Sequence, residues 1–539
     1  MGTEKPLTFS GGGFIHQWQH LFVVPVIVAL VVIINTARGT ALDDYVWADD
    51  PCYGYVQVGS SVFDSNTFTT AYTLRLTSQT WRDSSEVDHT VWEHWVTIYT
   101  RLSVLIDWDT ALLLIDDGNN TDPAPEYDAA FRGLCAGTYS VIAVVSAIPN
   151  QPLQFSDEGL PRTEDEIIAY SWEKFLHGED ANWPAQLPMV KATVRAMDTI
   201  QDFLGNLGLF SRITINKFVL TGGSKRGWTA WLTAAVDNRV IAIAPIVSDL
   251  LNMDRSFAHH WAAYGFWADA LSPYEELGIF EWFDTSQGTE LLKIVDPYEY
   301  RDRLNLPKYI VNAAGDDFFV CDSIQFYIDE LLGETYLRHV PNTDHYLTDA
   351  FDSVFNAMVP YYNAFLNSQA RPAFSWTLQE NGAIRVETVD EPNAVKLWQI
   401  NNEHSRDFRQ VVTGPNWVST ELSEKSPGVY IGEVNEPNFG WTAFFLELTY
   451  DNQFDQDYAE VPGQYFYHFT SEIHVLPEVR PFEADFNRDR ETGLVDLMVL
   501  GNNWLTDNPY RDIVPRRYGD GIINFNDYSV FALHWLQIH

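Results

Sequence analysis

The chain has 539 residues, room for about three or four domains. Hydrophobic residues at 46% and charged residues at 20% exclude a wholly disordered chain. Against 33 Lys+Arg stand 74 Asp+Glu, and a formal charge of −41 argues against a nucleic-acid binder while suiting calcium, salty surroundings or solubility.

Residues 21–34 come first, fourteen apolar residues without a charge. A bilayer span needs roughly 20, and a signal-peptide core roughly 7–15. Ala37-Arg38-Gly39 and Gly39-Thr40-Ala41 follow with small-x-small spacing. Residues 1–41 therefore read as a signal peptide, the alternative being an uncleaved membrane anchor. Either leaves the bulk of the protein outside the cytoplasm, secreted or at the cell surface. Cys52, Cys135 and Cys321 allow at most one disulfide and no Cys-rich zinc module.

Residues 55–59, 71–77 and 95–102 predict strands, the second alternating Tyr72, Leu74 and Leu76 with polar neighbours. Continuous apolar runs at 111–115, 141–148, 218–220, 240–247 and 309–313 predict buried parallel strands. Between them, Glu164–Leu176 and residues 189–204 carry the apolar spacing of helices. Strand and helix in alternation predict an α/β fold over 42–370, a mostly parallel sheet covered on both faces. An aromatic-rich insertion at about 250–300 predicts a helical lid. Within it, His259-His260 are expected to pack and hydrogen bond rather than hold a metal. From 371 to 478 short β-like runs predict a β-sandwich. Residues 479–539 hold an internal repeat and predict a small α-helical module.

The strand at 217–221 runs into Gly222-Gly223-Ser224-Lys225-Arg226-Gly227, and a helix at 228–236 follows. A strand–turn–helix elbow presents a serine hydroxyl at the carboxyl edge of a sheet, with small residues where the backbone is crowded. Here Gly222 lies two before Ser224, but Arg226 lies two after it and Gly227 one further on. A serine nucleophile needs a base and an orienting acid, in the order Ser, Asp/Glu, His. The strand at 309–313 ends in Asp316-Asp317, and the one at 336–340 leads to His345. Ser224, Asp316 and His345 are thus the expected catalytic residues, with Asp317 a rival to Asp316. Lys225 and Arg226 are expected to pair with acidic residues of the protein itself.

Several segments together resemble the PhoPQ-activated pathogenicity-related family over roughly 42–470: Thr77-Ser78-Gln79-Thr80-Trp81-Arg82, Pro149-Asn150-Gln151-Pro152-Leu153, and Gly222-Gly223-Ser224-Lys225-Arg226-Gly227-Trp228. Residues 262–267 and 312–319, Arg301-Asp302-Arg303-Leu304 and Leu397-Trp398-Gln399 add to it. The resemblance implies an α/β-hydrolase relative with a β-rich carboxyl domain and a triad on Ser224, Asp316 and His345. An oxyanion needs two donors. One is expected from the backbone N–H of Lys225, the other from the loop after the strand at 111–115. Family members are expected to carry glycine where Asp116-Asp117 stand, which leaves Gly118 or Asn119 as the nearest candidates.

In the carboxyl-terminal repeat, Asp485, Asn487 and Asp489 occupy calcium-loop positions 1, 3 and 5, with Glu491 at 7 and Asp496 at 12. Thirty-one residues on, Asp520 matches Asp489, Asp527 matches Asp496, and Asn524 remains between them. The paired half-loops resemble a dockerin module, implying calcium and a cohesin-like partner. The first loop is expected to bind well and the second weakly.

The sequence thus predicts an exported serine hydrolase acting on a carboxylic ester or peptide bond, with no cofactor in catalysis. Its rivals are a non-catalytic binding or signalling protein on a hydrolase scaffold, and a carbohydrate esterase.

Overall fold

Apolar side chains on both faces of consecutive short strands force a sheet that must be covered twice. The computed structural model describes residues 39–101, 109–208, 212–379, 381–435, 437, 440–452, 465–477, 484, 492–505, 522–533 and 535. Strands β1 (Gly54–Gln57), β2 (Val62–Asp64), β3 (Thr69–Thr80), β4 (Val91–Arg101), β5 (Thr110–Ile115) and β6 (Val141–Val145) enter the main sheet first. After a ribbon of β7 (Leu153–Gln154) and β8 (Pro161–Arg162) come β9 (Lys217–Gly223), β10 (Val240–Ile246), β11 (Lys308–Ala313) and β12 (Thr335–Val340). The order of this ten-stranded sheet is β1-β3-β4-β6-β5-β9-β10-β11-β12, with β2 on β3. From β6 to β12 neighbours are parallel; the β1–β4 side is antiparallel, as is the β4–β6 junction.

Period-2 alternation sends one set of side chains to each face. Ala111, Leu113 and Ile115 of β5 join a core with α3 (Glu164–Leu176), α4 (Gln186–Gly205) and α5 (Lys225–Val236). Leu112 of the same strand, with Val219 and Ala242, instead meets α2 (Ala129–Thr138) and α9 (Phe351–Leu366). Both faces are therefore covered, in an α/β-hydrolase-like arrangement. The insertion after β10 forms α6 (Met253–Tyr264), α7 (Ser272–Glu276) and α8 (Ser286–Val295), and Leu291 and Val295 of α8 enter the α3–α5 core.

The β-rich region holds a three-stranded sheet of β13 (Phe374–Leu378), β14 (Ile384–Thr388) and β17 (Val429–Gly432). A five-stranded sheet combines β15 (Ala394–Asn402), β16 (Val418–Glu421), β18 (Trp441–Tyr450), β19 (Tyr467–Thr470) and β20 (His474–Leu476). Ile384 and Val386 of the first meet Leu397, Leu446 and Phe469 of the second, and the same core runs on into Tyr309, Tyr336 and Tyr361. Gly432 has no side chain because Leu446 and Leu397 fill that space. The β region thus shares its core with the edge of the main sheet instead of closing on itself.

In the tail, α11 (Leu494–Asn502) and α12 (Phe525–Leu533) follow the repeat. Asp496 accepts the Gly493 N–H at 2.9 Å and Asp527 the Asn524 N–H at 2.7 Å, and both carboxylates are buried. Ala484, Leu500, Ile523 and Phe531 form its small core. Among the predicted metal-loop residues, Asp485, Asn487, Asp489, Glu491 and Asp520 lie outside the described residues, as does the targeting segment at 1–38. Among the described residues no helix is long and apolar enough to cross a membrane. Cys52, Cys135 and Cys321 are free thiols.

Candidate active site

The turn from β9 into α5 holds Ser224 at φ 55°, ψ −125°, a left-handed backbone that a non-glycine residue adopts only when its surroundings impose it. Its N–H donates to the Ile246 carbonyl at 2.8 Å. A Cβ on Gly222 would stand 2.9 Å from the Ile115 carbonyl oxygen, and one on Gly227 would stand 2.9 Å from the Gly222 oxygen and the Ser248 Cβ. The second glycine is needed three residues after the serine, where α5 crosses β9 and the loop after β10. Arg226 is tolerated two residues after it because its side chain turns aside. Its guanidinium donates to the Ile148 carbonyl at 2.5 Å and to both Glu164 oxygens at 2.6 and 2.7 Å. Lys225 is buried and pairs with Glu164 at 2.7 Å and Asp165 at 3.0 Å. Both cations serve the protein's own carboxylates. Burial alone would raise Glu164, but Arg226 and Lys225 hold it down at about 2.

The carboxyl ends of β11 and β12 deliver the other two groups. His345 Nδ1 lies 2.8 and 3.0 Å from the Asp316 oxygens, and its Nε2 lies 2.9 Å from Ser224 Oγ. Asp316 also accepts the N–H groups of Phe318 at 2.7 Å and Phe319 at 3.2 Å. Both Asp316 and His345 are buried, and the Phe318 ring lies 4.3 Å from the imidazole. It is Asp316 that meets the imidazole; burial, helped by Asp316 and Asp344, pushes Asp317 up instead.

Residues of the β region fix these two loops. Gln410, which opens α10 (Gln410–Thr413), donates its N–H to the Gly315 carbonyl at 2.9 Å, and a Cβ on Gly315 would stand 3.0 Å from that nitrogen. Asn342, at φ 59°, exchanges two hydrogen bonds with the Trp417 backbone at 2.8 and 3.0 Å.

The oxyanion expectation needs correction at Asn119. Its N–H donates to the Asp122 carboxylate at 2.6 Å, and neither Gly118 nor Asn119 lines the cavity at Ser224. A Cβ on Gly118 would stand 3.2 Å from the same Asp122 carboxylate, which folds the loop back on itself. Asp116 and Asp117 line the cavity instead. The Lys225 N–H has no acceptor among the described residues, whereas the Asp117 N–H donates to the Asp116 carboxyl. Burial pushes the Asp116 carboxyl up, with Asp117 adding to the effect.

Two cavities meet at Ser224. The larger, about 790 Å³, runs along the sheet face under α9 and α2. The smaller, about 40 Å³, is walled by Leu250, Met253 and Phe257 at the start of the insertion and by Tyr274 within it. The main cavity thus owes its roof to α9 and not to the predicted lid. In that insertion His259 bonds Asp322 at 2.8 Å, and Asp322 also pairs with Arg406. His260 accepts the Ala268 N–H at 3.2 Å, and burial lowers it to about 3.

A family model described as PhoPQ-activated pathogenicity-related protein matches residues 42–409. The chain is also similar to autocrine proliferation repressor protein A of Dictyostelium discoideum, 36% identical over 483 residues that span 85% of this chain and 94% of that one. Likenesses among solved structures are distant. Acetyl xylan esterase 1 from Thermoanaerobacterium sp. JW/SL YS485 aligns at TM-score 0.39 and 15% identity, over 60% of this chain and 91% of that one. An S-formylglutathione hydrolase from Agrobacterium tumefaciens aligns at TM-score 0.37 and 13% identity, over 58% of this chain and all of that one.

Proposed function

This chain belongs to the PhoPQ-activated pathogenicity-related protein family, and from that premise we propose that it is a serine hydrolase of acyl bonds. The observation that carries the reading is the unbroken relay from Asp316 through His345 to Ser224 Oγ, with contacts of 2.8 and 2.9 Å, opening on a cavity. In this mechanism His345 Nε2 takes the Ser224 proton as Oγ bonds to the carbonyl carbon. Asp316 holds the imidazole and stabilises its cation. The Lys225 N–H, free of any acceptor among the described residues, receives the oxyanion, contributing about 10²–10³ in rate. Collapse breaks the bond to the leaving group, which takes the proton from His345. Water, deprotonated by the same imidazole, then releases the acid and restores Ser224.

Wild-type protein is expected to hydrolyse p-nitrophenyl esters and to take a fluorophosphonate label, and Ser224→Ala to lose both while keeping its melting temperature. Folded wild-type protein without label or turnover contradicts the reading. The name of the Dictyostelium relative favours a second reading, a secreted signal on a hydrolase scaffold. On that reading, Ser224→Ala keeps the biological activity of the intact protein.

The tail is proposed to bind calcium through Asp485, Asn487, Asp489, the Glu491 carbonyl and Asp496, with a weaker second loop around Asp520, Asn524 and Asp527. The buried Asp496 and Asp527 carboxylates in the first turns of α11 and α12 support it, since a hard cation takes oxygen donors. A cohesin-like partner and export by the leading segment complete the proposal.

A further inference from the structure

The sheet face below Ser224 is apolar for longer than catalysis requires. Leu114, Val219 and Ala244 project from three adjacent strands to form a floor, and Leu134 of α2 with Phe355 and Met358 of α9 form the roof. From Ser224 back to Val219 is five residues of strand, roughly 16 Å at about 3.3 Å per residue. The volume, about 790 Å³, is that of a ligand site and not of a packing defect. Two hydroxyls on these walls are already satisfied: Thr221 donates to the Ala244 carbonyl at 2.7 Å and Tyr362 to Ser140 at 2.9 Å. A third, on Tyr361, is buried without a partner among the described residues. Among the described residues, carboxylates occur on the cavity wall only at the ends of elements: Asp116 and Asp117 after β5, Asp128 capping α2, and Glu164 and Asp165 at the start of α3, held by Lys225 and Arg226.

An occupant must therefore be long, apolar and joined to a carbonyl at Ser224 Oγ. We propose that the substrates are esters of medium- to long-chain fatty acids, with the acyl chain lying between the sheet and α9. This rests on the serine hydrolase reading above. The Ser224 Oγ–carbonyl carbon bond forms and the ester C–O bond breaks. The alcohol leaves with the proton from His345, and water completes the cycle to the fatty acid. The acidic rim then repels the product carboxylate and favours its release.

The test is kcat/KM of the full chain on p-nitrophenyl acetate, butanoate, octanoate and dodecanoate. Each methylene buried adds about fourfold (about 0.8 kcal/mol), so octanoate is expected to exceed acetate by at least a hundredfold. Met358→Trp, which fills the roof, shifts the preferred chain to a shorter one. Should that variant fail to fold, Leu134→Phe serves the same end. Equal rates on all chains, or preference for acetate, overturn the inference while leaving the hydrolase reading intact. Chain-length dependence on the alcohol side, seen with alkyl acetates, overturns the acyl placement. Loss of all turnover and of fluorophosphonate labelling in folded protein removes both.

Discussion

Ser224 sits in a strained conformation that costs about 1–3 kcal/mol, and the crowding that imposes it is visible at Gly222 and Gly227. The strain aims Oγ at His345, and Asp316 fixes which imidazole nitrogen faces it. Asp316→Asn is expected to lower kcat by about 10⁴ with a small change in KM, because the amide favours the wrong tautomer; steady-state kinetics checks this. A second carboxyl close by has a different task. Burial, with help from Asp316 and Asp322, pushes Asp249 up to about 8, and the Tyr327 hydroxyl donates to it at 2.6 Å. Between its ordinary value near 4 and about 8, the folded chain holds a proton that the unfolded chain has released. Stability from this group is therefore complete below about pH 4 and declines as pH rises through about 8. Asp249→Asn is expected to flatten that part of the melting temperature–pH curve, measured calorimetrically; an unchanged slope would assign the effect elsewhere. The sequence displayed Ser224, Asp316 and His345 because each follows an apolar strand. It hid the fate of the Asn119 N–H, which depends on a carboxylate three residues on, at Asp122.

At the scale of elements, the α5 elbow is tied to α3 by ion pairs, and the loops that carry Asp316 and His345 are tied to the β region. Arg226→Ala leaves the Ile148 carbonyl and Glu164 short of a partner, and is expected to cost about 2–4 kcal/mol in denaturant unfolding. Asn342→Gly keeps the left-handed backbone yet removes both bonds to Trp417. It is expected to lower kcat about 10- to 100-fold with little change in KM, since small misplacements of a catalytic group are costly. Unaltered kcat contradicts a positioning role for the β region. Helix α3 was legible because Ile167, Ile168, Trp172 and Phe175 recur on one face of it. Helix α9 was not: Pro360 stands inside it, a residue that in sequence marks a break, and its apolar residues go all round because it lies between the sheet, the cavity and the β region.

At the scale of the molecule, residues Thr40–His539 make one compact unit, and the β region shares its core with the main sheet. The positions of the strands along the chain and the change to short β runs were readable; the shared core was not, since periodicity reports that a face is apolar but not what covers it. The charge of −41 belongs to this scale too, opposing anionic ligands while leaving calcium welcome. Calorimetric titration of the full chain with calcium is expected to show one strong site, weakened at least tenfold by Asp489→Ala; absence of uptake contradicts it. The central claim is that His345 activates Ser224. The most direct measurement is intact-mass and peptide mapping of the chain after brief exposure to a fluorophosphonate, in wild-type protein and in His345→Ala. A single adduct on the peptide containing Ser224, formed at least a thousandfold more slowly without the imidazole (loss of a triad histidine costs about 10⁶ in kcat), is the predicted result. An adduct elsewhere, or equal rates in the two proteins, contradicts the account.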